Sequence, residues 1–408
     1  MEEAPRPARP ANRFGWSVSR GDLIFVLAVA AAYVGMNLVE LKLHPSVTGS
    51  WPDRMYVLAQ RILAGHLDSP QFAYTVDSVA RDGRYYIAVG PLQVVPYLPL
   101  APFGVFRNLA GFITSGAFGL GAALASLKLV RSYGARGANA YWAATLAAFG
   151  TLLFYVSVLG NFYYLAQAES FLALSLFLIE WAGRRRPVVL GTCLAFSMLA
   201  RPTTILAAIP FGLALIWRRR DWFGRGFALA VPVAVAIGIY GLFNWARFGS
   251  PTETGYAISF LPQPGLEARR ELGLFSVLQV PENVRLAFLT GFKPLGHAPF
   301  FTADPYGLSM LLVSPGLLTA VWAGFQRVDA RLLWIAAALV AAPVFLYYGG
   351  GYFQYGFRYT LDFTPFLVAL VAMGTGRWRG WPERLLISVS VLSVGYGVLW
   401  AGISALRT

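Results

Sequence analysis

Three sets of side chains in this sequence have the type and placement to do chemistry: carboxylates beside turns, arginines at breaks or ends of apolar runs, and a lysine, histidine and aspartate sharing one loop. Asp53 stands in Gly49-Ser50-Trp51-Pro52-Asp53-Arg54-Met55-Tyr56, directly before a stretch of helical periodicity. A carboxylate there can take a proton from a hydroxyl group. The same position suits an N-cap, whose side chain accepts a backbone hydrogen bond, and both readings stand. Asp77 and Asp82 flank Ser78-Val79-Ala80-Arg81 and precede Gly83-Arg84-Tyr85-Tyr86. Asp77, Asp82, Arg84 and Tyr85 are candidates for binding hydroxyl groups or a cation, with a solvated turn as the plainer alternative.

Arg358 lies in Tyr352-Phe353-Gln354-Tyr355-Gly356-Phe357-Arg358-Tyr359-Thr360-Leu361-Asp362, an aromatic girdle at one end of an apolar run. An always-charged fork suits a phosphodiester at headgroup level, with Gln354 and Tyr355 beside it. The alternatives are an ion pair with Asp362 at i,i+4 or snorkelling to lipid phosphate. Arg201, in Ala200-Arg201-Pro202 between two short apolar runs, is the second candidate phosphate ligand. Lys293, His297 and Asp304 share a Pro/Gly-rich loop and could meet a substrate, although a lone loop histidine is commonly structural. Glu169 falls inside an apolar run, where an ionisable group has a function or a partner. His44, His66 and His297 are too far apart for zinc spacing, and the lone Cys193 reads as a core residue.

These residues need a scaffold, and the composition names its class. Of 408 residues 57% are hydrophobic and 13% charged, too little charge to cover a water-soluble domain of this length. Apolar runs fall at 22–43, 109–130, 138–159, 162–183, 188–200, 203–217, 226–246, 307–325, 332–348, 359–375 and 384–404. Strict alternation places the basic clusters (Lys128/Arg131/Arg136, Arg184–Arg186, Arg218–Arg220 with Arg225, Arg327/Arg331, Arg377/Arg379/Arg384) on the side of the tail that carries Arg6, Arg9, Arg13 and Arg20. The expectation is an all-α integral membrane protein with about eleven transmembrane helices. Residues 1–21 form a cytoplasmic tail and 22–408 one polytopic domain, in a membrane of the bacterial plasma-membrane kind. The net charge of +14 is spread through short loop clusters, a distribution that excludes a nucleic-acid groove.

Two long segments, 44–106 and 247–306, then lie on the extracytoplasmic side. The first begins with an amphipathic stretch, Met55, Leu58, Ala59, Ile62 and Leu63 at helical spacing, expected to lie along the membrane surface. Its Pro91–Pro99 piece is too proline-broken for an ordinary span and reads as interfacial or re-entrant. The Ala200-Arg201-Pro202 break puts Arg201 at the tip of a short helical hairpin. No internal repeat is visible.

This layout resembles the GT-C type of polytopic glycosyltransferase, in particular the dolichyl-phosphate-mannose mannosyltransferases. The resemblance is carried by Asp53 with Tyr56-x-x-Ala59-x-x-x-Leu63-x-Gly65, the proline-rich run before the next span, Ala200-Arg201-Pro202, and Gln354-Tyr355-Gly356-Phe357-Arg358-Tyr359-x-Leu361-Asp362-Phe363-x-Pro365-Phe366. It implies transfer of a sugar from a polyprenyl-phosphate-linked donor to a hydroxyl of a glycan, lipid or protein acceptor. Asp53 would be the catalytic base, and Arg358 with Arg201 would hold the donor phosphate. No cofactor is implied beyond a possible divalent cation. Arg54 follows Asp53 where many members carry a second acidic residue, so a bridging metal would lack one ligand. Two other classes fit the same layout: a transporter or flippase of a lipid-linked or small polar substrate, and a non-catalytic partner in envelope assembly.

Overall fold

The computed structural model describes residues 19–43, 53–217, 219–262, 265–297 and 300–405; the tail up to residue 18, residues 44–52 and Arg218 of the sequence expectations lie outside them. The described chain is mostly helical. In order it runs α1 (Arg20–Leu43), α2 (Arg54–Leu63), the strands β1 (Ser78–Arg81) and β2 (Arg84–Ile87), α3 (Ala110–Ser132), α4 (Gly137–Phe149), α5 (Leu152–Val158), α6 (Phe162–Ala182), α7 (Pro187–Ala200), α8 (Ala208–Ile216) and α9 (Trp222–Phe248). There follow α10 (Leu266–Glu271), α11 (Val280–Phe288), the strands β3 (Lys293–Pro294) and β4 (Phe301–Thr302), α12 (Met310–Val313), α13 (Val328–Leu346), α14 (Thr364–Gly374) and α15 (Trp381–Ala405). Each strand pair is an antiparallel hairpin.

Among the described residues, six helices are long and apolar enough to cross a membrane: α1, α3, α6, α9, α13 and α15. The pair α4–α5, bent by 47° at Gly150-Thr151, makes a seventh if counted as one span. The expected number of about eleven is therefore corrected. The other apolar runs are short or broken: 188–200 and 203–217 fold as α7 and as a 3-10 turn (Pro202–Ala207) leading into α8. Run 307–325 breaks at Ser314-Pro315 between α12 and a 3-10 stretch (Pro315–Ala323). Run 359–375 begins as a 3-10 turn (Arg358–Asp362) before the short α14. Hydropathy does not separate a run that meets lipid from one enclosed by protein. Nearly all of α14 is buried, whereas α9 exposes Val235, Ile237, Leu242 and Trp245.

Cross-helix contacts gather the basic clusters at one end of the bundle. Arg131 donates to both carboxylate oxygens of Asp22, and Tyr141 donates to Oδ1 at 2.8 Å, which joins the start of α1 to the end of α3 and the start of α4. Arg185 at the end of α6 meets Asp329 at the start of α13 at 3.5 Å, and Arg384 of α15 stacks over Trp142 of α4. By chain direction the opposite end receives the start of α6, the end of α7, the end of α9 and both long segments. Close approach within the bundle depends on small residues: any side chain at Gly119 of α3 would overlap Ser157 of α5.

Asp22 is 4% exposed and Arg131 29%, so removing the charge of one leaves the other partly dry and unpaired. Asp22→Asn should lower stability by about 1–3 kcal/mol, at the modest end because water reaches the guanidinium. The reading is a thermal midpoint in detergent; an unchanged midpoint would show that the pair does not hold α1.

Candidate functional site

At the end opposite the basic clusters, the first long segment, α6, α7, α9 and the stretch after α13 enclose a cavity of ≈ 480 Å³. Asp77, Arg201 and Arg358 are the charged residues in its wall, and Tyr163, Tyr164, Tyr240, Tyr256, Tyr347, Tyr348, Tyr352 and Tyr359 supply most of the rest of its polar surface, with Gln93, Asn161 and Gln167. Tyrosine faces and hydroxyls together suit a ligand with both C–H faces and hydroxyl groups.

Arg358 heads the 3-10 turn before α14 and is 8% exposed. One of its terminal nitrogens donates to Gln354 Oε1 at 2.6 Å, the other to the Tyr359 hydroxyl at 3.4 Å, and its Nε is buried without a partner. The rings of Tyr359 and Tyr164 lie 4.8 and 5.5 Å from its guanidinium carbon. Among the described residues it has no ion-pair partner. The i,i+4 pair with Asp362 is not made. Asp362, fully buried, is instead taken by Arg201, whose Nε donates at 3.0 and 3.1 Å and whose terminal nitrogen donates at 2.8 Å. Arg201 also stacks on Tyr359 at 4.8 Å, so both guanidinium groups pack against one ring. Gly351, at φ +78°, makes room for Arg358, because a Cβ there would sit 2.6 Å from its terminal nitrogen.

Asp77 precedes β1 and is held in the left-handed region at φ +60°, a conformation that costs a non-glycine residue about 1–3 kcal/mol. Its backbone N–H donates to Phe260 O at 2.9 Å and its carbonyl accepts from Ala88 N at 2.9 Å, so the second long segment and the residue just after β2 fix it from both sides. Burial pushes its carboxyl up to about 6, while the nearby charges of Arg54, Arg358 and Arg270 and the Tyr163 hydroxyl oppose the rise. Arg54 braces this corner, donating to Val76 O at 2.6 Å and to the Tyr163 hydroxyl at 2.9 Å. Arg247, at the end of α9, donates to Ile87 O and Val89 O and ties the hairpin to the bundle.

Asp53 occupies a different place. Its Oδ1 accepts from Met55 N at 2.9 Å, the N-cap of α2, and its Oδ2 accepts from the Tyr97 hydroxyl at 2.9 Å. It is half-buried near Gly111 and is not in the cavity wall. Burial pushes it also to about 6, against the Tyr97, Met55 and Tyr56 hydrogen bonds and the Arg54 charge. The helix it caps buries Met55, Tyr56, Leu58 and Ala59 against Val94 and Tyr97 of the first long segment, so protein covers much of the apolar face assigned to the membrane surface.

The other candidates separate. Asp82, at the exposed tip of the β1–β2 hairpin, pairs with Arg81 at 3.3 Å; Arg84 is exposed and Tyr85 packs on Tyr74. Lys293 and Asp304 form an ion pair at 2.9 Å, and Asp304 Oδ1 accepts from Tyr306 N; His297 is exposed and outside the cavity wall. Gln354 positions Arg358, and Tyr355 is fully buried with its hydroxyl 3.1 Å from that of Ser393. No group of three His, Cys, Asp or Glu side chains among the described residues could hold a metal ion, and a divalent cation in the cavity would meet one wall carboxylate, Asp77. Tyr352, Phe353 and Tyr359 of the aromatic girdle line the wall; the tyrosines missing from the sequence reading are chiefly Tyr163-Tyr164 and Tyr347-Tyr348, which open and close apolar runs and mark where helix ends meet. Neither a protein-family model nor a curated protein matches the chain, so the reading of this site rests on its geometry.

Two substitutions separate the roles of the arginines. Asp362→Asn strands Arg201 and should destabilise by about 3 kcal/mol, somewhat less if water reaches the partly exposed guanidinium. Arg358→Gln removes a buried charge with no ion-pair partner and should leave the thermal midpoint level or raise it. Equal losses from both variants would mean that Arg358 is compensated as Arg201 is.

Proposed function

We propose that the chain is a glycosyltransferase that moves a sugar from a polyprenyl-phosphate-linked donor to an acceptor hydroxyl of a glycan, lipid or protein. The observation that supports it most is Arg358: a nearly dry, permanent cation without an ion-pair partner among the described residues, in a tyrosine-lined cavity that also holds one carboxylate. Such a cation favours a bound anion. In the reaction, the acceptor hydroxyl gives its proton to the Asp77 carboxylate as its oxygen bonds to the sugar's anomeric carbon. The bond from that carbon to the phosphate oxygen breaks, and its electron pair leaves with the phosphate. Arg358 and the remaining terminal nitrogen of Arg201 stabilise that charge. Asp77 takes the base role first assigned to Asp53, because Asp53 spends one oxygen on a helix cap and the other on Tyr97. The positive-inside rule would set the basic-cluster end in the cytoplasm and the cavity on the extracytoplasmic face, where lipid-linked donors are used.

One observation favours the second reading, transport. Glu169 lies within α6, 2% exposed, with neither carboxylate oxygen hydrogen-bonded, and buried ionisable groups of this kind serve ion or proton passage.

The trial is purified protein in lipid nanodiscs with a panel of polyprenyl-phosphate-linked hexoses and pentoses and mixed glycan and lipid acceptors. Asp77→Asn should lower transfer at least ~100-fold and Arg358→Gln by a similar factor. Asp53→Asn, which keeps a capping side chain, should change it less than about tenfold. Asp77 must be ionised to accept a proton and its carboxyl sits at about 6, so wild-type turnover is level above that pH and falls roughly tenfold per unit below it. Absence of transfer from every donor, with Glu169→Gln abolishing substrate movement across liposomes, would replace this reading with the transport one.

A further inference from the structure

The ends of α15 mark two levels in the molecule. Trp381 opens the helix and Trp400 lies 19 residues on, so the two indoles are separated by roughly 28 Å at 1.5 Å per residue, close to the ~30 Å thickness of a hydrocarbon core. Trp381 is 74% exposed and marks one water–lipid boundary from outside, while Trp400, 6% exposed and packed under protein, marks the level the helix reaches at the other. The β3–β4 hairpin is fastened at the Trp400 level: the Trp400 indole donates to Thr302 Oγ1 at 3.0 Å and the Tyr396 hydroxyl donates to Phe301 O at 3.2 Å. Phe353 packs on Trp400 at 5.7 Å, and Phe292 packs on Tyr396 at 6.0 Å.

Four phenylalanines thus collect at one height, and all are open to the outside: Phe292, Phe300, Phe301 and Phe353 are 38, 60, 54 and 44% exposed. Phe300 is presented there at φ +64°, a conformation held by Phe300 N donating to His297 O and Leu295 N donating to Phe300 O, each at 2.7 Å. Holding a β-carbon-bearing residue in that region is costly, and nothing in the core requires this ring, so the surface it faces should give the return. The patch is continuous with the exposed apolar side of α15, where Leu392 and Leu399 are 72 and 54% exposed. A large exposed aromatic area joined to a lipid-facing helix has one natural occupant.

We infer that Phe292, Phe300, Phe301 and Phe353 form a shelf resting in the headgroup and upper acyl region of the leaflet at the cavity end of the bundle. The shelf is an interaction surface separate from the catalytic groups, with the lipid bilayer as its partner. Phe353 belongs to the shelf and to the cavity wall at once, and its neighbour Tyr352, 41% exposed, also lines the cavity. On the glycosyltransferase reading, from which this one step follows, the cavity rim then faces lipid and a membrane-borne substrate enters sideways without passing through bulk water.

The test does not need activity. The full chain carrying Cys193→Ala, which removes its one cysteine, takes a single new cysteine at Phe300, spin-labelled and reconstituted in phosphatidylcholine/phosphatidylglycerol nanodiscs. Power-saturation spectroscopy compares collisions with oxygen, which concentrates in lipid, and with a water-soluble nickel chelate. Oxygen should exceed the chelate at Phe300→Cys, and the order should reverse at Asp82→Cys on the exposed β1–β2 tip. Phe292→Cys gives the same reading if the Phe300 variant does not fold. A shelf label that favours the chelate lies in water, and one shielded from both relaxants is covered by protein; either result overturns the inference whether or not the chain transfers sugars.

Discussion

A guanidinium group cannot shed its charge by losing a proton, and the interior of a membrane protein is a poor place to keep one. Arg358 is therefore the constraint around which the cavity is organised. Moving an ion of this size out of water costs several kcal/mol even after the surroundings relax. Its compensation is partial: the Gln354 carbonyl oxygen, a long contact with the Tyr359 hydroxyl, and two aromatic faces. Gln354 is itself fixed, its amide nitrogen donating to Tyr306 O and Gly350 O, so loops from two distant stretches of chain converge to hold one oxygen against one charge. No carboxylate pairs with Arg358 among the described residues, and the nearest wall carboxylate is Asp77, whose charge it favours across the cavity.

Arg201 shows what fuller compensation looks like on the same ring. It packs on Tyr359 as Arg358 does, yet Asp362, fully buried, closes two sides of its fork with support from the Thr203 hydroxyl. The pair joins the break between α7 and α8 to the turn that carries Arg358, so its work is mechanical as well as electrostatic. Each end is a residue whose loss leaves the other charge buried. Arg201 still has a terminal nitrogen outside that pair, so it can contribute one donor to an anion held chiefly by Arg358.

The membrane class and the break at Arg201 were legible in the chain because each is local: apolar length and a proline. The span count was not, because enclosure by protein and contact with lipid select the same residues; α14 and the outer face of α9 are equally apolar for opposite reasons. The alternative of an Arg358–Asp362 pair fails for a related cause. Spacing offered Asp362, but in the short 3-10 turn the carboxylate points to Arg201, which is 161 residues earlier. Asp53 makes the cap hydrogen bond that its position before a helix allows.

Asp53 and Asp77 carry the argument one step further, since burial lifts both carboxyls to about 6 and titration alone cannot rank them. Geometry does. The oxygens of Asp53 are engaged within the first long segment, by a backbone N–H and a tyrosine hydroxyl, and that is how a structural carboxylate is satisfied. Asp77 instead sits in an unfavourable backbone conformation clamped by two pieces of chain from different segments, with its carboxylate in a cavity wall that also holds two arginines. Strain maintained at a cavity wall, where a relaxed turn would serve the fold equally well, is what a residue needs when its side-chain direction matters more than its own stability. The β1–β2 hairpin, one of two among the described residues, then contributes to the site: Ala88 just after β2 and the Phe260 segment fix the backbone that carries the Asp77 carboxylate.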